Sequence, residues 1–296
     1  MKKISILGLV YCSLIWGSTF FVVKDALAGV HPVSMVAFRF LLAALLILPV
    51  VLVKKIAHCH IKEGFVLACF LTIGYVSQTW GLQYTTASNS GFITALSVLF
   101  VPIILFFFFA RSVSKKQWIS CFVASIGLWF LTGGVSGFNF GDMLTLVCAP
   151  GFALQIIYIA KYVKNNSNLL SLAFHQFWIT GILCLIISFV FGYSLAVTSV
   201  KVGWMIVFLA VFPTLSAFFI QLWSQKRVEP VKVGLILALE PLFAAVFAWT
   251  LGAEAIKFKT IIGGSIIITA MLISELSTFG RLKVEPPELA KVTHIP

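Results

Sequence analysis

Three ionisable side chains lie inside long apolar stretches of the sequence, where an unpaired charge would be unstable. Glu240 lies near the middle of one stretch, Arg39 in the outer half of another, and His175 in a third. A charge at the centre of a bilayer costs roughly 2.5–3.5 kcal/mol on insertion scales, so each group should face a partner or a cavity. Glu240 is predicted to bind a proton or a cation, or to form a fixed structural link. Arg39 either neutralises an anionic group, pins its helix to a neighbour or extends to the interface, and His175 is a packing residue or a titrating group.

Uncharged polar side chains recur at helical spacing in the same kind of stretch. Tyr75, Gln78 and Thr79 would share one helix face, at positions i, i+3 and i+4. Amides and phenols can bind a zwitterion or an amine without bearing charge; the alternative role is hydrogen bonding between helices. The predicted substrate-binding residues are Trp16, Tyr75, Gln78, Thr79, Gln155, Tyr158, Gln221 and Glu240.

Prolines interrupt four of the apolar stretches near their middles. A proline inside a helix lacks an N–H and clashes with the carbonyl four residues earlier. At membrane depth, a carbonyl freed in this way must face protein, water or a ligand. The predicted hinges, for which a static packing kink is the alternative, are Gly17, Pro102, Pro150, Pro213 and Pro241.

The sequence predicts no catalytic or metal-binding constellation. It contains no HExxH, GxSxG or Walker-type phosphate-binding motif, and only one acid lies deep in an apolar stretch. The triplet His58-Cys59-His60 has no fourth ligand nearby, so it is not predicted to hold a metal. No cofactor is expected, and an embedded enzyme is the least favoured class.

Composition and hydropathy predict a chain that folds inside a lipid bilayer. Of its 296 residues, 60% are hydrophobic and 10% charged, whereas a soluble domain is about half apolar and about a quarter charged. A membrane-spanning helix needs about 20 apolar residues. We predict ten spans, the first of them a retained helix and not a signal peptide: 4–24, 33–53, 63–83, 88–110, 116–134, 140–160, 171–191, 202–224, 232–252 and 259–278.

The basic residues orient these predicted spans. With the N-terminus in the cytoplasm, 16 of the 21 lysines and arginines fall in cytoplasmic segments and 4 in outer loops, Arg39 being the remaining one. This positive-inside bias predicts that both termini lie on the cytoplasmic side. It also accounts for the net charge of +12 without a nucleic-acid partner.

The second half of the chain repeats features of the first. A shift of 136 residues aligns Arg39 with His175, and a shift of 143 residues aligns Gln78 with Gln221. Because five spans is an odd number, the second copy would enter the membrane from the opposite side. We therefore predict two inverted five-helix repeats, residues 1–137 and 138–278, and a short cytoplasmic tail, 279–296. Inverted repeats of this kind are typical of secondary transporters with alternating access.

Ordered motifs along residues 4–278 resemble the drug/metabolite transporter superfamily in its EamA branch. The segment LIWGSTF at residues 14–20 is similar to the W-G-S/T-x-F opening, and AFRF at 37–40 is similar to the start of the second span. LQYTTAS at 82–88 resembles the segment between spans three and four. LEPLF at 239–243 and LGAE at 251–254 resemble the E-P and L-G-E signatures, although Ala253 separates the glycine from the glutamate here.

The resemblance implies two five-helix halves around a central cavity, and predicted spans 1, 3, 4, 6, 8 and 9 would wall it. We expect a secondary-active, alternating-access transporter of an amino acid, amine or drug-like solute in the cytoplasmic membrane, with export favoured over uptake. The expected partners are this small molecule, lipid, and protons as a candidate coupling ion, in a monomer or homodimer. A channel or a structural membrane partner is the alternative.

Overall fold

The fold is described from a computed structural model, for residues 2–109, 114–132, 137–165, 168–228, 236–237 and 239–279. Regular structure in these ranges is helical throughout. The helices are α1 (Lys2–Ala26), α2 (Pro32–Val53), α3 (Ile61–Gly81), α4 (Ala87–Ala95), α5 (Ser97–Phe109), α6 (Lys115–Thr132), α7 (Phe140–Asn165), α8 (Leu169–Val190), α9 (Val200–Leu209), a π-helical segment (Ala210–Ser216), α10 (Ala217–Gln225), α11 (Glu240–Thr250) and α12 (Phe258–Phe279).

Several of these helices are long and apolar enough to cross a membrane. Within the described ranges there are six such segments: Lys3–Ala26, Pro32–Val53, Ala87–Phe108, Phe140–Val163, Leu169–Val190 and Val200–Gln225. Two shorter apolar helices cover Trp118–Leu131 and Phe258–Ala270. The predicted class, an all-helical multi-pass membrane protein, is confirmed at this level, and the ten-span inverted arrangement stays a prediction.

The predicted spans differ from the helices in three places. Predicted span 4 consists of α4 and α5, which are separated at Leu96. Predicted span 8 contains α9, the π-helical segment and α10. Predicted span 9 covers residues 232–252, and its first residues lie outside the described ranges. Within this span, the described helix α11 has 11 residues. The predicted tail lies outside the described residues from 280 onward.

Proline and capping side chains set several helix boundaries. α2 begins with Pro32 at its first position, where a missing N–H leaves no hydrogen bond unmade. α4 and α9 follow hydroxyl caps, because Thr86 accepts from the backbone N–H of Asn89 and Ser199 from that of Val202. Such caps satisfy helix-end amides that would otherwise need water.

The helices pair mainly across the two halves of the chain. The most extensive contacts join α6 to α12, α3 to α7, and α2 to α8. α1 packs against both α11 and α10, while α4 and α5 pack against α7. Residues from both halves therefore surround the centre of the bundle.

Glycine permits the close approach of α6 and α12. A β-carbon on Gly263 would lie 2.7 Å from the carbonyl oxygen of Gly127 and 2.7 Å from the Cα of Leu131. Small residues are favoured at helix contacts in membranes because the hydrophobic effect does not hold helices together there and close packing must do so.

We predict that Gly263→Ala destabilises the protein, because the added methyl group forces two backbones apart at a cost of about 1–3 kcal/mol. The measurement is thermal unfolding of the purified protein in detergent. Gly203→Ala in α9 is the matched control, since a β-carbon there meets no atom within 4 Å. Equal melting temperatures for the two variants would contradict the predicted contact.

Candidate functional site

A cavity of about 70 Å³ lies at the centre of the bundle. Its lining comes from α1, α3, α4, α5, α7, α10, α11 and Leu237, which belong to the six spans that the sequence placed around a cavity. The lining residues are Trp16, Thr19, Phe20, Tyr75, Gln78, Thr94, Ala95, Ser97, Phe152, Gln155, Ile156, Phe218, Gln221, Leu237 and Glu240.

Six of the eight predicted binding residues line this cavity, and the other two do not. Thr79 is buried at 2% exposure but is not part of the lining. Tyr158 packs instead against the rings of Phe70 and Tyr162. Sequence reasoning missed several lining residues, such as Thr19, because a lone hydroxyl or phenylalanine is unremarkable in an apolar helix.

Among the described residues that line the cavity, Glu240 supplies the only carboxylate and none is basic. In the described part of the chain, no lysine, arginine or histidine nitrogen lies within 4.0 Å of this carboxylate. The predicted alternative, a fixed link from Glu240 to arginine, is therefore not formed with Arg39. Because Glu240 lines the cavity, its carboxylate can contact a molecule bound there.

Three glutamines add amide groups to the lining. Gln78 Nε2 donates to Thr94 Oγ1 at 3.0 Å, so that this amide is partly engaged between α3 and α4. Gln155 Nε2 and Gln221 Oε1 are buried and form no hydrogen bond within the described protein. Both residues line the cavity, and buried polar groups that lack a partner normally bind a ligand or water.

One of the predicted alternatives for Arg39 was extension to the membrane interface, but the side chain is buried within the protein. The side chain is 2% exposed, and its Nε donates to Thr214 Oγ1 at 2.6 Å. Thr214 Oγ1 in turn donates to the carbonyl of Leu209, four residues before Pro213, at 2.8 Å. The guanidinium also lies 4.6 Å from the ring centroid of Tyr75, a cavity residue. Arg39 is therefore joined to the π-helical segment.

Residues of α1 satisfy other polar groups around the same segment. Trp16 Nε1 donates to the carbonyl of Pro213 at 2.8 Å, and Tyr11 and Ser216 share a hydroxyl–hydroxyl bond of 2.7 Å. A π-helical turn inside an α-helix often marks a functional site. Because Trp16 also lines the cavity, this indole connects the cavity wall to the irregular part of predicted span 8.

The predicted hinge residues lie in different settings. Gly17 lies within the continuous helix α1, where a β-carbon would meet the Cβ of Phe243 at 2.6 Å. Pro213 lies in the π-helical segment, and Pro150 lies inside α7. Pro102 lies in α5. The structure places Pro241 in the first turn of α11 and not within a continuous helix, so its missing N–H leaves no bond unmade. A hinge role for these residues stays a prediction.

His175 lies outside the cavity lining. The ring is 2% exposed, and its Nδ1 accepts a hydrogen bond from Trp178 Nε1 at 2.8 Å. A β-carbon on Gly64 would clash with the Cβ of His175, so α8 and α3 pack closely at this point. This close contact supports the packing role, one of the two roles predicted for His175. No cluster of three or more candidate metal ligands occurs among the described residues.

Comparisons with known proteins point to one family. The model of the EamA-like transporter family matches residues 3–133 and again residues 139–276. An uncharacterized transporter of Archaeoglobus fulgidus is 36% identical over 270 residues, which covers 91% of this chain and 85% of the relative. The uncharacterized inner membrane transporter YedA of Escherichia coli is 23% identical, covering 88% and 87%.

A second bacterial relative and one solved structure extend the likeness. The uncharacterized transporter YoaV of Bacillus subtilis is 21% identical over 94% of this chain and 98% of its own length. One solved crystal structure superimposes with a TM-score of 0.69 at 14% identity, covering 96% of this chain and 99% of that one. At this identity the superposition shows a shared fold and nothing about substrate.

We predict that Thr214→Val destabilises the protein by about 2 kcal/mol, because it leaves the buried Arg39 Nε without a partner. The melting temperature in detergent should fall by about 4–8 °C. Thr214→Ser keeps the hydroxyl and should restore most of the loss. Equal melting temperatures for the valine and serine variants would contradict the role of the hydroxyl.

Proposed function

The chain belongs to the EamA-like transporter family, and from this premise we propose that it is a secondary-active carrier that exchanges protons for a small cationic or zwitterionic amine at Glu240. Family membership and the names of its relatives make it a membrane transporter. The amine substrate, protons as the coupling ion and export as the direction are our proposal.

The unpaired carboxylate of Glu240 is the observation that carries the choice of substrate. A cavity whose described lining contains one acid and no basic side chain attracts a cation and does not favour a free anion. The rings of Trp16, Tyr75 and Phe218 also line the cavity, and aromatic faces stabilise a desolvated ammonium by about 2 kcal/mol. Gln155 and Gln221 can bind the polar remainder of the molecule through their free amide atoms.

The same carboxylate supplies a simple means of coupling. A carboxylate buried at membrane depth is stable only when it is protonated or paired. One carboxylate cannot hold a proton and an ammonium group together, so substrate binding releases the proton and proton binding releases the substrate. An inward proton gradient would then drive the export of the amine, and the exchange of one proton for one monovalent cation leaves the charge unchanged.

The pairing of helices supports two inverted repeats, residues 1–137 and 138–278, and hence alternating access. In the two proposed repeats, predicted spans 1–5 correspond in order to predicted spans 6–10. When each span is exchanged with its counterpart, the pairs α2–α8 and α6–α12 map onto themselves. The α3–α7 pair maps onto α10–α1, and the α1–α11 pair maps onto α7–α4; each of these contacts is present. The family model matches each half once, which also supports a duplication. Such repeats rock about a fixed midplane site.

The proposed orientation has both termini in the cytoplasm, in keeping with the excess of basic residues in the predicted cytoplasmic segments. In that orientation α4 and α7 begin at the outer face, together with the ends of α1, α3 and α11. Export would then start with an amine that enters the cavity from the side of the chain termini.

We predict that Glu240→Gln abolishes proton-driven transport of amines, by at least tenfold relative to the unsubstituted protein, because the amide neither exchanges a proton nor neutralises an ammonium. The measurement is counterflow in proteoliposomes with a panel of amino acids, primary amines, nucleotides and sugars, with and without a proton gradient. The rate for the unsubstituted protein should depend on pH, and the residual rate of the variant should not.

Glu63→Gln is the matched control, since it removes the same charge from a half-exposed residue near the start of α3 and should transport normally. Undiminished, pH-dependent transport by Glu240→Gln would overturn the assignment of this residue. Transport of nucleotides or sugars but not of amines would overturn the assignment of the substrate.

A further inference from the structure

The turn between α3 and α4, residues 82–86, is held by charged side chains from three other places in the chain. Lys24 Nζ donates to the carbonyls of Leu82, at 3.4 Å, and of Thr85. Thr85 Oγ1 donates to a carboxylate oxygen of Asp142 at the start of α7. Since Asp142 belongs to the second half of the chain, the turn is joined to both halves.

Glu254 completes these contacts from the loop between α11 and α12. Its carboxylate accepts from the backbone N–H of Ala87 at 2.5 Å, and from the hydroxyl and backbone N–H of Ser88 at 2.8 and 3.3 Å. Thr86 caps the next amide, that of Asn89. Three first-turn amides of α4 are thus satisfied, and an anion at a helix N-terminus is further stabilised by the helix dipole.

The residue before Glu254 adopts a strained conformation. Ala253 has φ of 52°, in the left-handed region that disfavours residues with a β-carbon. The chain turns there so that the backbone N–H of Glu254 donates to the carbonyl of Ala248 at 3.0 Å. Strain of this kind persists only where surrounding contacts hold it, and it is concentrated at switch regions.

α4 connects this cluster to the cavity. Its N-terminus is bound by Glu254, and Thr94 near its C-terminal end lines the cavity and accepts from Gln78. Lys24 and Glu254 also attract each other electrostatically. A shift of α4 away from the second half would move a wall of the cavity and would require these contacts to break.

We propose that Glu254, with Lys24 and Asp142, is a clamp that closes this end of the cavity and must release α4 before the cavity opens there. Glu254 acts through α4 and is a positioning residue for transport. The clamp rests on the alternating access and the orientation proposed above, which place it at the outer face. It assigns a role to the glutamate of the LGAE segment and explains why a strained alanine is maintained beside it.

Cys148 is a native reporter for opening. It is fully buried, and its Sγ lies 3.5 Å from Thr94 Oγ1 on the cavity wall. The experiment uses a full-length variant that retains only this cysteine, with Cys12, Cys59, Cys69, Cys121 and Cys184 replaced by alanine. A membrane-impermeant thiosulfonate is added to the outer side of oriented membrane vesicles, and the rate of Cys148 modification is measured.

Glu254→Gln should raise the modification rate about fivefold, as expected for the loss of a charged helix cap, and Glu254→Asp should raise it less. Ala253→Gly should lower the rate, because it relieves strain that is present only while the clamp is closed. Asp25→Asn should have no effect: the Asp25–Lys201 pair, 2.7 Å long at the same end, is 50% and 71% exposed and therefore solvated.

An unchanged rate in Glu254→Gln, or a raised rate in Ala253→Gly, would overturn the clamp. The Ala253→Gly variant removes no contact, so it decides the question if Glu254→Gln does not yield folded protein. The labelling requires no transported solute, so an incorrect assignment of the amine substrate would leave the result for the clamp unaffected.

Discussion

Every polar group that this chain places at membrane depth must find its partner inside the protein, because hydrocarbon offers none. The π-helical segment shows the constraint most clearly. Pro213 cannot donate an α-helical hydrogen bond, and side chains from α1 and α2 bind polar groups of this segment: Arg39 acts through Thr214, and Trp16 binds the Pro213 carbonyl. The irregular backbone of one half is thus maintained by the other half.

The same constraint makes the exceptions informative. Glu240, Gln155 and Gln221 lie together in the cavity, with a carboxylate that lacks a cation and amide atoms that lack partners. Buried polar atoms without a partner also occur away from the cavity, as on Gln176, but at the cavity they lie on residues that share its lining with a carboxylate. We propose that a solute with an ammonium group and a hydrogen-bonding remainder supplies the missing partners, and that a proton neutralises the carboxylate in its absence.

Much of this site followed from the sequence, and the part that did not has a physical reason. Glutamines and a glutamate in apolar helices are expected to face inward, and Gln78, Gln155, Gln221 and Glu240 line the cavity, while their role in binding stays a prediction. Periodicity fixes a helix face but not its neighbour, so Tyr158 packed elsewhere. The Arg39–Thr214 bond joins residues 175 positions apart, and Glu254 caps a helix that begins 167 positions earlier. No local pattern in the sequence signals such contacts.

We propose that the Glu240 carboxylate alternates between a proton and an amine, and calorimetry of amine binding in buffers of different ionisation enthalpy tests this most directly. The amine is one that the unsubstituted protein transports, and the buffer dependence of the binding heat gives the number of protons released. We expect about one proton released per amine bound, at a pH where the carboxyl group is protonated, and none in Glu240→Gln. Amine binding to the unsubstituted protein with no proton release across the accessible pH range would contradict it.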